Sequence, residues 1–348
     1  MKIADTGTST SHHRLLWLLA LLLPLSILLA LISGAVTLSP AEMIKGSSDW
    51  LQGQYNQAGV IAIQIRLPRV LLAGFIGAIL ACSGAAMQGL FRNPLADPSL
   101  IGVTAGASLG GSLSIVLIGT SAQGLSALTL ISLGAFAGGL SAVLIVYRLA
   151  ASATGGTSVA TMLLAGIAIT SLASAIIHLL EFQANSEVLR RISLWQMGGL
   201  DGADLSRLLA AAAVATLVLL SLPRFANSLN ALLLGESEAR YLGINVERTK
   251  TILIILVAIG VGISVALAGT IAFVGLVVPH IVRMLTGPDH HRLLPASAMA
   301  GAILLIVADT LARVLIAPTE LPVGIVTALV GVPFFIYLLR QRSSQGMN

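Results

Sequence analysis

The sequence predicts an all-α integral membrane protein with about ten transmembrane helices. Of its 348 residues, 56% are hydrophobic and only 9% are charged, and the mean hydropathy is +0.97. A soluble domain of this size would need more charged groups to solvate its surface. Apolar runs of about 18 to 25 residues recur along the chain, each long enough to cross a bilayer. No polar block could form a second, soluble domain, so we predict a single membrane domain over residues 1–348.

The chain begins with a polar segment, residues 1–14, followed by an apolar run at Leu15–Ile32. This pattern resembles a secretory signal peptide, with Ser33-Gly34-Ala35 as its cleavage site. Because further membrane segments follow, we favour an uncleaved first helix with a cytoplasmic N-terminus. Residues 36–64 are expected to form a polar outer loop, with a short interfacial helix around Pro40–Gly53.

The second helix is predicted to open at Arg66 and to run to about Leu90. It is rich in Gly and Ala, as expected for a helix that is surrounded by other helices. In the turn that follows, Asp97 is a favourable N-cap and Pro98 is favoured at the first helical position. A third helix is therefore expected to begin at Pro98.

Seven further spans are predicted, and a short surface helix is expected in the polar region 182–204 between the fifth and sixth spans. The seven spans lie at about 124–147, 158–181, 205–222, 251–268, 271–285, 295–316 and 322–339. The span at 271–285 is short and contains Pro279, which predicts a broken or half-buried helix.

The distribution of basic residues predicts the orientation. Ten spans and an inner N-terminus place both termini in the cytoplasm, and twelve of the 19 basic residues then fall on the inner side. These twelve are Lys2, Arg14, Arg92, Arg148, Arg224, Arg240, Arg248, Lys250, Arg283, Arg292, Arg340 and Arg342. The bias agrees with the positive-inside rule and also explains the net charge of +5, so no nucleic-acid partner is expected.

A polar stretch at Pro223–Lys250 separates two long apolar runs and is predicted to be cytoplasmic. Within it, residues 235–243 predict a short helix with Glu236 in the first turn, Arg240 in the last and Gly243 as a left-handed stop. Glu236 and Arg240 are spaced i,i+4 and can support this helix. The stretch is either a capped, solvated loop or a docking element for a cytoplasmic partner, and spacing alone leaves both open.

The sequence carries no motif for catalysis. It lacks the Gly-x-x-x-x-Gly-Lys-[Ser/Thr] phosphate loop, so we do not expect it to hydrolyse ATP unaided by that route. Its six histidines show no metal-ligand spacing, and the single Cys82 excludes a disulfide framework or a thiolate cluster. We expect no catalytic residue, no bound metal and no cofactor in this chain.

Few ionisable residues lie at membrane depth. Asp309 and Arg313 are spaced i,i+4 on the ninth span, so we expect an ion pair between them. Asp309 is also the one acid that could serve a proton-coupled secondary transporter, which keeps that alternative open. A passive channel, needing no partner, is the other alternative.

Five blocks of sequence resemble the FecCD-type permeases, the membrane subunits of ABC importers for ferric siderophores, haem and vitamin B12. The blocks are RLPR (66–69), SGAAMQGLFRNPLADP (83–98), LGESEARYLG (234–243), FVGLVVPHIVRMLTGPDHHRLLP (273–295) and ELPVGIVTALVGVPFF (320–335). The resemblance covers about residues 15–340 and implies the ten-helix fold of a type II ABC importer permease. The Gly-Gly pair in Trp195–Leu200 is similar to the vitamin B12 permease.

The resemblance also implies partners and a cargo. It implies a second permease copy, as a homodimer or heterodimer, with a pathway lined chiefly by the fifth and tenth spans. It further implies a pair of cytoplasmic ATPase subunits, where ATP and Mg²⁺ act, a periplasmic substrate-binding protein, and contact with lipid in a bacterial inner membrane. We expect a ferric siderophore as cargo, with haem or vitamin B12 as alternatives.

Three sets of site residues are predicted, and the resemblance implies the first of them. The loop at about 224–248 corresponds to the segment that sits in a groove of the ATPase, and its coupling residues are expected to be Leu234, Gly235, Glu236, Ala239, Arg240, Leu242 and Gly243. Structural or gating roles are expected for Asn93, Pro94, Asp97, Pro98, Pro279, His280, Asp309 and Glu320.

The third set comprises Arg66, Arg69 and Arg313, which are placed on the outer side against the positive-inside trend. We expect them to form a basic platform for acidic residues of the binding protein, because the planar guanidinium can hold a carboxylate through two hydrogen bonds. Anchoring to lipid headgroups is the alternative.

Overall fold

The computed structural model describes residues 8–34, 36, 38–119, 125–151 and 156–345, and the regular structure in these ranges is helical apart from one isolated bridge between Ala151 and Thr157. Lys2, Ala35 and the side chain of Arg342 lie outside the described part of the chain.

The helices follow one another with short connections. They are α1 (Thr8–Ile32), α2 (Pro40–Leu51), α3 (Gln57–Gly59), α4 (Leu67–Leu90), α5 (Val103–Ile118), α6 (Leu125–Ala150), α7 (Val159–Gln183), α8 (Ser186–Gln196), α9 (Leu205–Ser221), α10 (Ala226–Leu234), α11 (Glu236–Tyr241), α12 (Val246–Ala268), α13 (Val274–Thr286), α14 (His290–Val314) and α15 (Val323–Gln345).

The membrane-spanning prediction is confirmed. Within the described residues, seven helical stretches are long and apolar enough to cross a membrane, and three shorter apolar helices lie at Val103–Ile118, Val274–Thr286 and Val323–Tyr337. Seven and three make ten, and they occupy the ten predicted places. The interfacial helix is also present as α2, where Ser39 and Glu42 form a capping box.

Helix α4 is the centre of the bundle. Most of its residues are buried, and it packs against α9, α12, α13 and α14. Gly77 faces Gly301 of α14, and a Cβ on Gly77 would overlap the Gly301 carbonyl oxygen. Gly84 approaches Gly275 of α13 in the same way. The small residues therefore let neighbouring backbones come close, as the composition of this helix predicted.

The second span begins earlier than predicted. The expected outer loop at 36–64 contains the first turns of a continuous helix, Gln57–Leu90, whose start is capped by the Asn56 side chain accepting from the Gly59 N–H at 2.7 Å. The turn Val60–Arg66 is π-helical and leads directly into Pro68. A proline cannot donate to an α-helical ladder, and the wider π turn accommodates it inside the helix.

The third span is split rather than continuous from Pro98. Asp97 caps it as predicted, accepting from the Ser99 N–H at 2.8 Å, but only a 3₁₀ turn follows at Pro98–Ile101. Gly102 then adopts a left-handed conformation with φ of 79°, and α5 starts at Val103. Glycine tolerates this conformation without a steric penalty, so it allows the change of direction.

Candidate functional site

The polar stretch between α9 and α12 folds as consecutive short helices at one end of the bundle, which we call the loop end. A 3₁₀ turn at Leu222–Phe225 continues α9 into α10. Gly235 then turns the chain with φ of 139°, a conformation that side-chain-bearing residues rarely adopt, and α11 follows at Glu236–Tyr241. Gly243 has φ of 82° and ends the unit. The predicted short helix and its left-handed stop are confirmed.

The far side of α11 presents apolar side chains to the outside. Tyr241 is 92% exposed, and Leu242 and Leu234 are also exposed. Ala239 is fully buried and packs the helix onto the rest of the chain. Large exposed apolar groups beside the charged residues of a short helix are typical of a surface that is covered by another protein.

The other side of α11 rests on a buried lysine. The Nζ atom of Lys250 lies 2.8 Å from Glu236 Oε1 and 3.4 Å from Glu247 Oε1, and it donates to the Thr157 carbonyl at 3.1 Å. The predicted pair between Glu236 and Arg240 is present but longer, at 3.9 Å, with Arg240 mostly exposed. The sequence placed Lys250 in the polar stretch but gave no sign of its burial or of its contact with Thr157.

A second polar cluster joins α10 to the start of α14. The Asn230 amide donates to Asp289 Oδ1 at 2.7 Å and accepts from the His290 N–H at 2.9 Å, while Asn227 pairs with His291 at 2.7 Å. Burial raises the pKa of Asp289, but the hydrogen bonds from Asn230 and from the His291 N–H outweigh it, so this pKa lies below its ordinary value.

Several residues predicted to have structural or gating roles come together beside this cluster. The Pro94 carbonyl lies 3.3 Å from His280 Nδ1, next to Pro279 in α13. Asn93 accepts from the Leu95 N–H at 3.0 Å and so shapes the turn after α4. Pro98 packs near Gly275 at the start of α13.

Asp97 caps the 3₁₀ turn that follows. Burial raises the pKa of its carboxyl group, and the hydrogen bonds from Ser99 only partly oppose that effect. Ionising the Asp97 carboxyl group therefore costs more free energy here than it would on an open surface.

The opposite end of the bundle holds the arginines that were expected to dock the binding protein. Arg69 Nη2 lies 2.9 Å from Asp309 Oδ1, and Arg69 Nη1 lies 2.7 Å from Glu320 Oε2. Arg313 Nε lies 3.1 Å from Asp309 Oδ2, which confirms the predicted pair. Arg66 donates to the carbonyls of Leu31 and Ile32 near the end of α1, and Arg313 donates to those of Ala30 and Ser33.

The exposed basic platform is therefore a wrong prediction for the chain described here. Arg66, Arg69 and Arg313 are 4%, 8% and 4% exposed, because they satisfy carboxylates and the last carbonyls of α1, which have no partner within their own helix. The docking role itself stays a prediction. A cleft of about 260 Å³ opens beside this network and is lined in part by Arg69, Glu320 and Asp201.

Titratable side chains do not gather into a metal site in the described ranges: no group of three or more His, Cys, Asp or Glu residues there could hold a metal ion. Cys82 is buried in α4 as a free thiol.

Comparison with known proteins identifies relatives along nearly the whole chain. The model of the FecCD transport family matches residues 21–341. The hemin transport system permease protein HmuU of Yersinia pestis is 46% identical over 94% of this chain and 97% of its own length. The vitamin B12 import system permease protein BtuC of Salmonella typhi is 41% identical over 93% of this chain and 94% of its own.

Solved structures agree with the fold. An inward-facing conformation of a metal-chelate type ABC transporter superimposes with a TM-score of 0.82 at 32% identity, covering 94% of this chain and 99% of that one. PsaBC from Streptococcus pneumoniae superimposes with a TM-score of 0.55 at 18% identity, which supports the fold alone.

Proposed function

Since this chain belongs to the FecCD transport family and is a permease of a metal-chelate type ABC importer, we propose that it moves a chelated metal through the membrane by ATP-driven alternating access. Energy would enter at α11. The observation that carries this proposal is the form of α11, a short helix with an exposed apolar tip and a charged base tied to the bundle. Such an element has no role inside a bilayer and suits a groove in an ATPase subunit.

We place the loop end in the cytoplasm, with both chain termini. Arg224, Arg240, Arg248 and Arg292 cluster near this end, as the positive-inside rule requires. Two ATPase subunits would bind ATP and Mg²⁺, and their closure would push on α11. The permease then needs two arrangements of similar free energy that its partners can bias.

The pathway would form between two copies of the chain. One face of α7 is exposed and carries the small residues Thr161, Ala168, Ser171 and Ala175 together with the large apolar residues Leu164, Leu172 and Leu179. Part of α15 is likewise exposed, at Leu329, Val330 and Val332. We propose that a second copy packs so that α7 and α15 of both subunits line a wide path with little binding affinity.

A periplasmic binding protein would dock at the opposite end, over the cleft beside Arg69. The Glu320 side chain is 38% exposed and occupies one edge of the Arg69 guanidinium. A carboxylate from the binding protein could replace Glu320 there without uncovering the buried pair between Arg69 and Asp309. Docking of this kind predicts that Glu320→Gln strengthens binding of the partner, because it removes the competing carboxylate.

The cargo is proposed to be a ferric chelate. The sequence blocks favoured a ferric siderophore, whereas two of the relatives are named for hemin and vitamin B12 transport. A metal tetrapyrrole is therefore the second candidate, and the 46% identity to the hemin permease supports it.

Uptake into liposomes tests the function and the cargo together. The permease would be reconstituted with its ATPase subunit and its binding protein, and offered a radiolabelled ferric hydroxamate siderophore, haemin or cobalamin. We expect one class of chelate to accumulate only with internal ATP, and a protonophore to leave that uptake unchanged. Uptake without the ATPase, abolished by the protonophore, would instead identify a secondary transporter. Conduction with no partner at all would identify a channel.

A further inference from the structure

Lys250 is buried in a way that the coupling role of α11 does not require. Its side chain is 2% exposed, and its ammonium contacts three oxygen atoms. A buried ammonium is costly unless its charge is paired and its protons are hydrogen-bonded. Here the two carboxylates of Glu236 and Glu247 and the carbonyl of Thr157 meet both conditions.

These three oxygens belong to three different elements. Glu236 is the first residue of α11, Glu247 lies in the first turn of α12, and Thr157 lies two residues before the start of α7. The Thr157 N–H also donates to Glu247 Oε2 at 3.0 Å, so the backbone at this residue is held by both of its polar groups. Ser158, the next residue, is the N-cap of α7.

Other attachments of α11 are few. The helix has six residues, is preceded by a glycine with φ of 139°, and is followed by the turn at Gly243. It packs on the chain through Ala239 and makes an outer, longer contact at 3.6 Å between Arg240 and Glu247 of α12. A short helix between two flexible glycines can pivot unless a specific contact fixes its angle.

We propose that Lys250 is a positioning residue that makes α11 and the start of α7 move as one unit. The inference rests on the proposed function, in which α11 receives the push of the ATPase and α7 lines the pathway. The path runs from the Glu236 carboxylate through the Lys250 ammonium to the Thr157 carbonyl and the cap of α7. It adds to the contact that α12 makes with the same residue, where Glu247 accepts from the Thr157 N–H at 3.0 Å.

The first test measures, in the isolated permease, how firmly α11 is held relative to the start of α7. Spin labels would be placed at Tyr241→Cys on α11 and Ala160→Cys on α7, both exposed positions, in a Cys82→Ala background in lipid nanodiscs. We expect a narrow distance distribution in the parent and at least a twofold broader one with Lys250→Met. Lys250→Arg, which keeps the cation, should restore much of the narrow distribution.

Two further variants keep this test decisive. Glu236→Gln replaces the carboxylate on the α11 side with a neutral, weaker acceptor while Lys250 keeps Glu247, so it should broaden the distribution even if Lys250→Met folds poorly. Lys45→Met, at an exposed lysine of α2, removes the same charge far from α11 and should change nothing. An unchanged distribution in both Lys250→Met and Glu236→Gln would overturn the proposal.

The second test measures coupling in the full complex. Without the labels, Lys250→Met should still bind the ATPase subunit, yet uptake per ATP hydrolysed should fall at least tenfold for the chelate that the wild-type complex carries. If that variant kept the wild-type uptake per ATP hydrolysed, the proposed role of Lys250 would be wrong, while the proposed function of the permease would stand. If the wild-type complex takes up none of the three chelates, the proposed function fails instead, and the label distances still decide whether Lys250 joins the two helices.

Discussion

Both ends of the bundle contain buried ion pairs, but the two sets hold elements of very different size. At the loop end, Lys250 ties the six-residue α11 to its neighbours, and the carboxylates of Glu236 and Glu247 remain partly exposed. At the opposite end, Asp309 is 1% exposed and joins α4 to its own helix, α14. The same chemistry thus fixes a small helix to its neighbours at one end and joins long helices to each other at the other.

The difference follows from what each cation can reach. At the opposite end, Arg66 and Arg313 also donate to carbonyls at the end of α1. These hydrogen bonds attach α1 to the joint, by which we mean the ion pairs of Asp309 with Arg69 and Arg313. An arginine has five N–H donors and can serve several acceptors at once, whereas the ammonium of Lys250 has three. We infer that the opposite end resists deformation and that the loop end is built to move as a unit.

The largest expected effect comes from breaking the joint at the opposite end. Asp309→Asn leaves Arg69 and Arg313 buried beside a neutral amide, and losing one partner of a buried pair costs about 3–5 kcal/mol. We expect a large drop in the thermal unfolding temperature of the detergent-purified protein. Glu187→Gln, at an exposed carboxylate of α8, is the matched control and should be neutral. Equal stability of the two variants would show that this network does not hold the fold.

The next largest effect is expected from variants that disturb α11 at the loop end and leave the ion pairs at the opposite end intact. Gly235→Pro cannot adopt φ of 139°, because proline fixes φ near about −65°. We expect uptake to fall by about tenfold or more, since the orientation of α11 is lost, while the unfolding temperature of the bundle stays close to wild type. Glu236→Arg should act in the same direction by placing a second cation against Lys250. Wild-type uptake in both variants would remove α11 from the coupling route.

A smaller effect is expected at the turn after α4. Asp97→Ala removes an N-cap, which is worth on the order of 1 kcal/mol. We expect stability to fall more than transport per folded molecule, and Asp97→Asn, which keeps a capping oxygen, to recover most of it. Unfolding curves and uptake normalised to folded protein would separate the two. Full stability with lost transport would instead place Asp97 in the gate or in the ATPase interface.

The smallest effect concerns the cluster that holds α10 against α14. Because the pKa of Asp289 is lowered from its ordinary value of 3.8, its stabilising contribution is present above that value and is lost as the pH falls through the lowered pKa. The thermal unfolding temperature of the wild-type protein should therefore fall slightly more than that of Asp289→Asn as the pH is lowered to about 3. If the unfolding temperatures of the two proteins changed with pH in parallel, ionised Asp289 would make no contribution to stability.

The comparison also shows which features a sequence can reveal. The spans were predictable because a bilayer sets the length of each apolar run, and the caps at Ser39 and Asp97 were within reach of local patterns. The pair between Asp309 and Arg313 was visible for the same reason, since its partners lie one helical turn apart.

Long-range pairing was beyond such patterns. Arg69 and Asp309 are 240 residues apart, and Lys250 reaches the Thr157 carbonyl across 93 residues, so neither contact leaves a periodic signal. The burial of the outer arginines was missed because a charge near a helix end usually indicates a surface position. Here the carbonyls at the end of α1 supplied partners that composition could not predict.

The central claim is that the ATPase engages the exposed tip of α11. The most direct measurement is the affinity of the ATPase subunit for the purified permease, compared between wild type and Tyr241→Ala with Leu242→Ala. Both side chains are exposed, so the double variant should fold as wild type does. Trp17→Ala, which removes an exposed aromatic residue from α1, is the matched control. We predict that the double variant loses binding by at least about tenfold while the control keeps it; unchanged binding of the double variant would contradict the account.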